Sequence, residues 1–390
     1  MNIPKTISSH KIPIRFFLDE IEDNALNQAI NLANHPNAFH HIAIMPDAHS
    51  GFGMPIGGVM AAIDAVIPNA VGVDIGCGVA AVETKVKASE LTPDLIRKIM
   101  SDIRAAIPVG FNHHEKDQSR EAMPKLENGL PIVAREYSSA LRQIGTLGGG
   151  NHFLELQRDS KGMLWLMVHS GSRNVGKQVA DHYGKLATQL NWGKVPISHE
   201  LDSLDISSPE GKAYMAEMEW CVKFARLSRK LMICRMMNVV QENVGKEIIS
   251  RFQYNLDVAH NYARMEKHFD KDVIVHRKGA TCAEDSLIGI VPGSQGSRSF
   301  IVKGKGNPDS FNSCSHGAGR VMSRAQAKKT LNLAEEQKKL DDKGIIHSIR
   351  SESDLDEATS VYKDIDQVMR NQAELVDIVE VLEPLAVIKG

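Results

Sequence analysis

The chain has 390 residues, of which 42% are hydrophobic and 24% are charged, an ordinary composition for a folded globular protein. A formal net charge of −2 excludes attraction to polyanions through overall charge, so contact with nucleic acid would need a local basic patch. The five cysteines are scattered and no secretory leader is recognised, so we expect a reducing, cytoplasmic setting without a disulfide framework. No apolar run of about eighteen residues occurs, so we expect no membrane span.

The first predicted elements lead into a strand-rich region. Apolar residues recur at helical spacing over the first forty positions. A short apolar strand, a turn and a glycine-rich loop then follow in FHHIAIMPDAHSGFGMPIGGVMA, residues 39–61. Apolar runs broken by glycine and proline predict short buried strands over residues 56–86. Farther along, the apolar strand in MLWLMVHSGSRNVG is expected to stop at His169.

Two helices are predicted from their caps and apolar spacing. LTPDLIRKIMSDIRAAI, residues 91–107, carries Pro93 near a first turn and reads as an amphipathic helix. Ser208 as N-cap, with Gly245 as terminator, predicts a long helix over residues 209–244. The expected apolar face of the long helix consists of Phe224, Leu227, Leu231 and Cys234. Its methionines are expected to fill gaps in the core.

The remaining pattern indicates the fold class. Ser323 with Gln326 forms a capping-box pattern that opens another helix. Strands and helices do not alternate regularly enough for a wound parallel sheet. We therefore predict a mixed α+β fold in a single domain over residues 1–390, with a strand-rich core and a helical insertion over about residues 175–250.

Five dispersed residues form a candidate metal site: Asp74, Cys77, His152, His169 and His260. Each lies beside glycine or at the end of an apolar strand or helix. A thiolate, a carboxylate and three imidazoles are too many ligands for one closed tetrahedral site, but they suit two ions that share the sulfur. The hard oxygen donor and the open positions favour Mn or Zn. Taken singly, each residue has a structural alternative, as a buried thiol or a hydrogen-bonded ring.

Three glycine-rich loops are candidate phosphate sites. Residues 145–155, 291–306 and 313–320 offer backbone N–H groups without Cβ crowding, although none matches the Walker pattern and plain turns remain the alternative. The polar anchors in these loops are Asn151, Glu155, Ser294, Ser299, Arg298, Lys303, Lys305 and Arg320. Phosphate or nucleotide binding is the functional interpretation.

His316 in SHGAGR is a candidate nucleophile. A neutral imidazole attacks phosphorus well, and Arg320 four residues later could balance phosphate charge; a structural turn histidine is the alternative. Asp47 and His49 in the loop MPDAHSGFG are assigned a supporting or substrate-end role. Other histidines are expected to be solvated or capping residues: His40, His41, His113, His114 and His347.

Read together, these segments resemble the RtcB family of RNA-splicing ligases. The similarity is carried, in order, by MPDAHSGFG, VGVDIGCG, GTLGGGNHFLE, VHSGSRNVG, HNY, RKGA, PGSQGSRSFIVKGKGN, SCSHGAGRVMSRAQAKK, VYKDID and the terminal VIKG. The resemblance implies an RtcB-like mixed fold and two Mn ions. One ion would be held by Asp74, Cys77 and His152, the other by Cys77, His169 and His260. His316 would accept guanylate.

The resemblance also implies a set of guanine-nucleotide contacts and an activity. The contacts would be Asn151, His152, Phe153, Leu154, Glu155, His260, Asn261, Pro292, Gly293, Ser294, Gln295, Ser299, His316, Gly317, Ala318, Gly319 and Lys389. The implied enzyme uses GTP and Mn to join RNA 3′-phosphate or 2′,3′-cyclic phosphate ends to 5′-hydroxyl ends, in RNA repair or tRNA splicing. It would proceed through a guanylylated histidine and an RNA-3′-pp-5′-G intermediate.

Three positions depart from the common family pattern: Phe52, Asn174 and Gln295. They suggest a repair-type ligase with a narrower preference for RNA ends. RNA would gather on a basic patch formed by Arg173, Lys177, Lys278, Arg298, Lys303 and Arg320. Two other functions stay open: a dinuclear metal phosphohydrolase acting on nucleotides or RNA ends, with His316 as proton donor, and a nonenzymatic RNA-binding module.

Overall fold

The computed structural model describes residues 5–190, 192–248 and 255–390. Its helices are α1 (Asp23–Ala33), α2 (Pro68–Val71), α3 (Pro93–Ala106), α4 (Pro131–Gln143), α5 (Arg173–Leu190), α6 (Pro209–Val244), α7 (Arg324–Thr330), α8 (Leu333–Asp341) and α9 (Ile365–Asn371). Its strands are β1 (Thr6–Ile7), β2 (Ile14–Phe16), β3 (Ala38–His49), β4 (Ile56–Ala62), β5 (Ala65–Val66), β6 (Gly78–Lys87), β7 (Phe153–Arg158), β8 (Met163–Ser170), β9 (Leu204–Asp205), β10 (Asn255–Ala259), β11 (Asn261–His268), β12 (Lys271–Lys278), β13 (Ala280–Cys282), β14 (Ile288–Val291), β15 (Ser299–Gly304), β16 (Ser313–Ser315) and β17 (Val376–Lys389). The predicted α+β class is confirmed.

Two large sheets organise the chain. One runs in the order β1-β2-β3-β4-β12-β11, and its β2–β3 pair is parallel. The other runs β10-β6-β8-β7-β17-β15-β14 and is antiparallel, and it curls until β14 lies against β10. Closing a sheet on itself in this way protects its edge strands.

The chain crosses from the curled sheet to the other sheet at a single residue. His260 follows β10 in the curled sheet and directly precedes β11 in the other. A small two-stranded sheet, β13 with β16, lies close by, because the backbone N–H of Ala280 donates to the carbonyl of His260 at 3.3 Å. The junction therefore gathers chain from three sheets, and the candidate site lies there.

The long helix α6 begins and ends as its sequence predicts. The Ser208 side chain accepts from the N–H of Gly211, and Gly245 terminates the helix with a φ of 71°. The predicted apolar face is wrong at Cys234, which is exposed. The reason is that α6 is covered on different sides along its length. Its first half packs on α4 and α5, and its second half packs on α3 and the curled sheet.

Other predicted elements are partly confirmed. The helix in the first forty residues is limited to α1, because Ile14 and Phe16 alternate along β2 and pair with β3 instead. Helix α3 carries Pro93 at its start, and the Ser323 hydroxyl accepts from the N–H of Gln326 to open α7. Helices α5 and α6 lie largely within residues 175–250, while the division into one domain with an insertion stays a prediction. No helix in the described ranges combines the length and apolarity needed to cross a membrane.

Candidate active site

Four adjacent strands of the curled sheet end at one cleft. Cys77 directly precedes β6, His152 directly precedes β7, His169 is the penultimate residue of β8, and His260 follows β10. The strand register places these ends side by side, since His169 pairs with Val79 of β6 and with Phe153 of β7. These four residues, far apart in sequence, therefore lie at one edge of the curled sheet. The prediction that His169 lies at a strand end is confirmed.

The distances define two overlapping groups of potential ligands. The Cys77 Sγ lies 3.5 Å from His152 Nε2 and 3.3 Å from His169 Nε2. His169 Nε2 lies 3.0 Å from His260 Nε2, and His152 Nε2 lies 3.0 Å from an Asp74 carboxylate oxygen. Asp74, Cys77 and His152 form one group, and Cys77, His169 and His260 form the other, each with ligand atoms within 4.8 Å of one another. Both groups could hold a metal ion, and they share the thiol.

Surrounding hydrogen bonds hold the ligands in place. The Nδ1 of His152 lies 3.0 Å from the Leu147 carbonyl, which directs Nε2 into the cluster. The backbone N–H of His260 donates to the Cys77 carbonyl at 2.8 Å. Arg229, fully buried in α6, donates to the carbonyls of Gly76 and Ser170, both at 2.8 Å, and forms an ion pair with Asp257. These contacts fix the loop that carries Cys77.

Burial favours the uncharged forms of the candidate thiol and of two candidate imidazole ligands. Burial raises the pKa of the Cys77 thiol, and the nearby Asp74 carboxylate raises it further. Burial lowers the pKa of both His169 and His260. Burial also raises the pKa of Asp74, but the hydrogen bond and charge of His152 outweigh it and bring the value to about 2. A divalent ion would reverse the thiol effect, because a metal-bound thiol is deprotonated.

His316 lies beside the metal-ligand cluster, directly after β16. Its ring centroid is 4.6 Å from that of His260. Its Nδ1 lies 2.6 Å from a carboxylate oxygen of Asp47, which is fully buried near the end of β3. The same oxygen accepts the backbone N–H groups of His316 at 3.0 Å and Gly317 at 3.3 Å. Burial raises the pKa of Asp47, but the charge of His316 outweighs that effect and lowers it. Nδ1 is therefore engaged, and Nε2 is left for chemistry.

Two residues, Lys363 and Gly319, hold the strand that carries Asp47 in place. Lys363 donates through Nζ to the carbonyls on either side of Asp47, Pro46 at 3.1 Å and Ala48 at 2.6 Å. Gly319 packs directly on this strand, since a Cβ there would lie 2.1 Å from the Asp47 carbonyl oxygen. With a φ of 74°, position 319 also has a backbone conformation that favours glycine. These contacts fix Asp47, and through it the orientation of the His316 ring.

A buried carboxylate gathers several side chains that form another wall of the cleft. Glu357 accepts from Lys389 at 3.1 Å and from Arg320 at 3.2 Å, and it also accepts from the Tyr362 hydroxyl. Arg324 lies 3.6 Å away as a further cation. Burial raises the pKa of Glu357, but the charge of Lys389 and these other partners outweigh it, so the pKa is lowered. Glu357 therefore stays ionised and holds the cationic side chains together.

The cleft has a volume of about 670 Å³. The ligand and nucleotide residues predicted from sequence that line it are Asp74, Cys77, Asn151, Phe153, His169, His260, Asn261, Pro292, Gly293, His316, Gly317, Ala318, Gly319 and Lys389. The Lys389 ammonium lies 5.3 Å from the Phe153 ring centroid, in a cation–π position. The structure thus brings the glycine loops and the metal-ligand cluster into one cavity.

Other predicted nucleotide contacts lie behind the cleft surface. Leu154 is fully buried in the hydrophobic core and paired within the sheet, so its side chain does not reach the cleft. Ser294 is buried and bonds to Ser297, and Gln295 lines a second cavity of about 380 Å³. Ser299 accepts from the N–H of Gly293 at 3.1 Å and so supports the cleft wall.

Glu155 is a buried acid behind Phe153. One of its oxygens accepts from Gln157 at 3.1 Å, and the other has no hydrogen-bond partner within the described residues. Burial raises the pKa of Glu155 to about 8, and the nearby charge of Lys389 acts in the opposite direction. An unpartnered buried carboxylate oxygen is a candidate contact for a ligand with paired N–H donors.

Some surface expectations need correction. Lys278 is buried and donates to the carbonyls of Phe52 and Asn69, although it lines the cleft. Ion pairs with carboxylates also engage Lys177, Arg298 and Arg320. These four cations therefore do not form the expected free basic surface.

The expectation of a solvated ring is wrong for His41. It is buried, and its ring centroid lies 4.2 Å from that of Phe311. Strand β3 carries it into the core, where its Nε2 lies 2.8 Å from the Asp309 carbonyl.

Several functional residues escaped the sequence analysis. Arg324 lines the cleft, and Glu357 and Lys363 hold residues at its wall, although in sequence all three look like ordinary charged residues. For Arg229 a signal existed, because it shares a helical face with Cys221, Ala225 and Met232, and a charge on such a face must find a partner.

Comparisons with known proteins agree with this geometry. The family described as tRNA-splicing ligase RtcB matches residues 28–137 and 125–390. The chain is 35% identical to the RNA-splicing ligase RtcB of Escherichia coli strain K12 over 392 aligned residues, which cover 95% of each protein. It is 32% identical to the tRNA-splicing ligase RtcB of Nanoarchaeum equitans, with 100% of this chain and 97% of that protein covered. The similarity extends over nearly the whole chain.

Proposed function

Because this chain belongs to the RtcB family, we propose that it is a GTP- and Mn-dependent RNA ligase. It joins RNA 3′-phosphate or 2′,3′-cyclic phosphate ends to 5′-hydroxyl ends, in RNA repair or tRNA splicing. A thiol metal ligand at Cys77 requires reducing conditions, which fits a cytoplasmic location.

One observation carries the proposal: an imidazole held by a buried carboxylate next to a double group of metal ligands. The 2.6 Å contact between His316 Nδ1 and Asp47 places the ring proton on Nδ1, and the lone pair is then on Nε2. The 4.6 Å separation of the His316 and His260 rings puts that lone pair close to the ligand cluster. This arrangement supports attack on a metal-bound phosphate.

In the first step, the Nε2 lone pair of His316 forms a bond to the α-phosphorus of GTP. The bond from that phosphorus to the bridging oxygen breaks, and pyrophosphate leaves with the electron pair. Asp47 stabilises the positive charge that develops on the ring, as a carboxylate does for a catalytic imidazole. The product is a guanylylated His316.

Two Mn²⁺ ions held by Asp74, Cys77, His152, His169 and His260 would supply the positive charge that neutralises the phosphate oxygens. The chain orients the nucleotide from the other wall. Lys389 lies over Phe153, and Arg320 and Arg324 are placed by Glu357 to face phosphate oxygens. Glu155, which has one oxygen unpartnered among the described residues and lies behind Phe153, is our candidate for contact with the guanine base.

The guanylate then moves from His316 to the RNA end, and the strand is sealed. After water opens any cyclic phosphate, an oxygen of the RNA 3′-phosphate attacks the guanylate phosphorus, and the bond to Nε2 breaks. The imidazole regains its lone pair, and RNA-3′-pp-5′-G is formed. The 5′-hydroxyl then attacks the 3′-phosphate, GMP leaves, and a phosphodiester joins the strands. Guanylylation is needed because a bare phosphate oxygen is a poor leaving group.

The test is labelling with GTP that carries radioactive phosphorus at the α position. In the presence of Mn²⁺, the wild-type chain should acquire an acid-labile, alkali-stable label that maps to His316. His316→Ala should abolish the label, while His182→Ala, an exposed histidine on α5, should retain it. Labelled protein should transfer GMP to an RNA 3′-phosphate and then seal it.

A different outcome would support another enzyme class. A metal phosphohydrolase using the same cleft would release phosphate or GMP without labelled protein. Metal-dependent turnover that leaves the protein unlabelled would therefore overturn the ligase proposal. RNA binding that ignores both Mn²⁺ and Cys77→Ala would instead indicate a nonenzymatic RNA-binding module.

A further inference from the structure

Phe111 is a large apolar side chain with almost no protein contact. It is 98% exposed, far more than the other exposed large hydrophobic residues of the described ranges. Full exposure of a phenyl ring costs hydration free energy, and a ring gains most when it stacks against another flat group. The ring is therefore free to stack against a flat group from outside the chain.

The loop that carries Phe111 is fixed to the metal end of the cleft. Gly110 donates to the Gly148 carbonyl at 3.0 Å and accepts from Arg173 at 3.0 Å. A Cβ at Gly148 would lie 2.1 Å from an Arg173 nitrogen and 2.7 Å from His152 Nδ1. Phe111 thus follows a residue that is one hydrogen bond away from the loop leading to a candidate metal ligand.

The surroundings of this loop are rich in cations. Arg173 donates to two neutral oxygens, Thr146 Oγ1 and the Gly110 carbonyl. His114 contacts Arg235 at 2.9 Å, and its backbone N–H donates to the Arg142 carbonyl at 3.0 Å. Arg142 itself has a looser carboxylate contact, 3.6 Å from Asp117. An exposed aromatic ring on a loop that contacts arginine side chains is one feature of proteins that bind single-stranded nucleic acid.

We propose that Phe111 stacks against a nucleobase of the RNA strand where that strand leaves the metal end of the cleft. The inference rests on the proposed RNA ligase function and assigns its substrate a specific contact. Phe111 positions the strand, so that the end to be joined lies beside the ligand cluster. Stacking is tolerant of sequence, because every base has a flat face.

RNA is favoured over a protein partner for two reasons. The ring stands alone rather than within an apolar patch, whereas a protein interface core needs several apolar side chains. The half-exposed Arg142 side chain can meet a phosphate, and the loop is hydrogen-bonded through Gly110 to Gly148, next to the cleft where the RNA end must lie.

The experiment compares Phe111→Ala, Phe111→Leu and Phe111→Tyr in ligation assays at saturating GTP and Mn²⁺. Alanine and leucine should each raise the KM for RNA about five- to hundredfold, because neither side chain stacks, while tyrosine should stay within about twofold of wild type. RNA carrying 2-aminopurine near its end should be quenched by the wild type and by Phe111→Tyr, and less by the other two. Labelling of His316 by GTP should be unchanged in all three.

The control is Leu190→Ala, an exposed apolar side chain at the far end of α5 from Arg173. It should leave both ligation and quenching unchanged. A leucine variant that ligates like wild type would overturn the stacking proposal. So would an alanine variant with unchanged KM, or one that only reduces self-association of the protein. Absence of GTP labelling in the wild type is a separate result and would count against the ligase function itself.

Discussion

The two walls of the cleft differ in how their buried ionisable groups are paired. The wall built from Asp74, Cys77 and the three strand-end histidines presents a carboxylate, a thiol and imidazoles, and burial lowers the pKa of His169 and His260. The wall around Glu357 contains its own cations, Lys389, Arg320 and Arg324. The first wall has the donors for a metal ion, whereas the carboxylate of the second wall is already paired with side chains of the protein.

Because of this difference, substitutions on the two walls should have distinguishable effects. Changes on the wall around Cys77 should alter metal content together with activity. Changes on the wall around Glu357 should alter nucleotide affinity while metal content stays constant. Of the predictions below, Cys77→Ala and Glu357→Gln each change one wall and use the other as the reference.

The largest effect is expected for Cys77→Ala, since both ligand groups lose the atom that they share. Bound Mn²⁺ should fall sharply, and guanylylation should fall by at least about a thousandfold, as expected for the loss of several kcal/mol of charge stabilisation. Metal analysis and GTP labelling measure the two quantities. Cys234→Ala, at an exposed thiol on α6, should change neither. Full activity without Cys77 would remove the basis of the metal assignment.

Asp47→Asn should act on chemistry alone. The amide retains the size of the side chain but no longer stabilises a positive ring or fixes the proton on His316 Nδ1. The rate of guanylylation should fall about 10³- to 10⁴-fold, by analogy with the same change in a catalytic triad. Single-turnover labelling measures the rate, and metal content should stay at the wild-type level. Asp19→Asn, at an exposed site, is the control. An equal loss of metal would show that Asp47 supports the opposite wall instead.

Glu357→Gln should weaken nucleotide binding. Lys389, Arg320 and Tyr362 lose a charged acceptor, so the KM for GTP should rise about 10- to 100-fold, as for removal of a hydrogen bond to a charged group. The unfolding temperature should also fall, because breaking a buried ion pair costs about 3–5 kcal/mol. Tyr362→Phe removes one contact and should have a smaller effect on both. Loss of bound Mn²⁺ in Glu357→Gln would contradict the separation of the two walls.

The smallest effect is expected for Glu155→Gln and concerns pH. Burial raises the pKa of Glu155 to about 8, so the folded chain keeps a proton that the unfolded chain loses near pH 4.5. The stabilisation is present at low pH and is lost as the pH rises from about 4.5 to 8, with a slope of up to about 1.4 kcal/mol per pH unit. Denaturation at pH 5, 6, 7 and 8 should show wild type losing stability relative to Glu155→Gln. Parallel curves for the two proteins would argue against a buried, protonated Glu155.

The candidate ligands could be proposed from sequence because their chemistry is rare. A cysteine and histidines placed beside glycines and at the ends of apolar strands stand out, and the strand register then explains why His152, His169 and Cys77 meet. What the sequence could not supply was which charged residues turn inward. Glu357 has no neighbouring pattern that distinguishes it from a solvated charge, and VYKDID does not reveal that Lys363 turns inward.

The ends of the helices were predictable from sequence, whereas the faces that they bury were not. Caps are local, so Ser208, Gly245 and Ser323 mark helix ends in both the sequence and the structure. The face that a helix buries depends on what packs around it. Helix α6 exposes Cys234 because its two halves meet different parts of the core.

The position of His260 has a mechanical consequence. It directly follows β10 of one large sheet and directly precedes β11 of the other, so a metal bond to its ring would tie this crossing to the neighbouring strand ends that carry Cys77 and His169. Chelation should then loosen the seam between the sheets, with faster amide exchange in β10 and β11 and a lower melting temperature. A bound ion would then stabilise the fold as well as serve the proposed reaction.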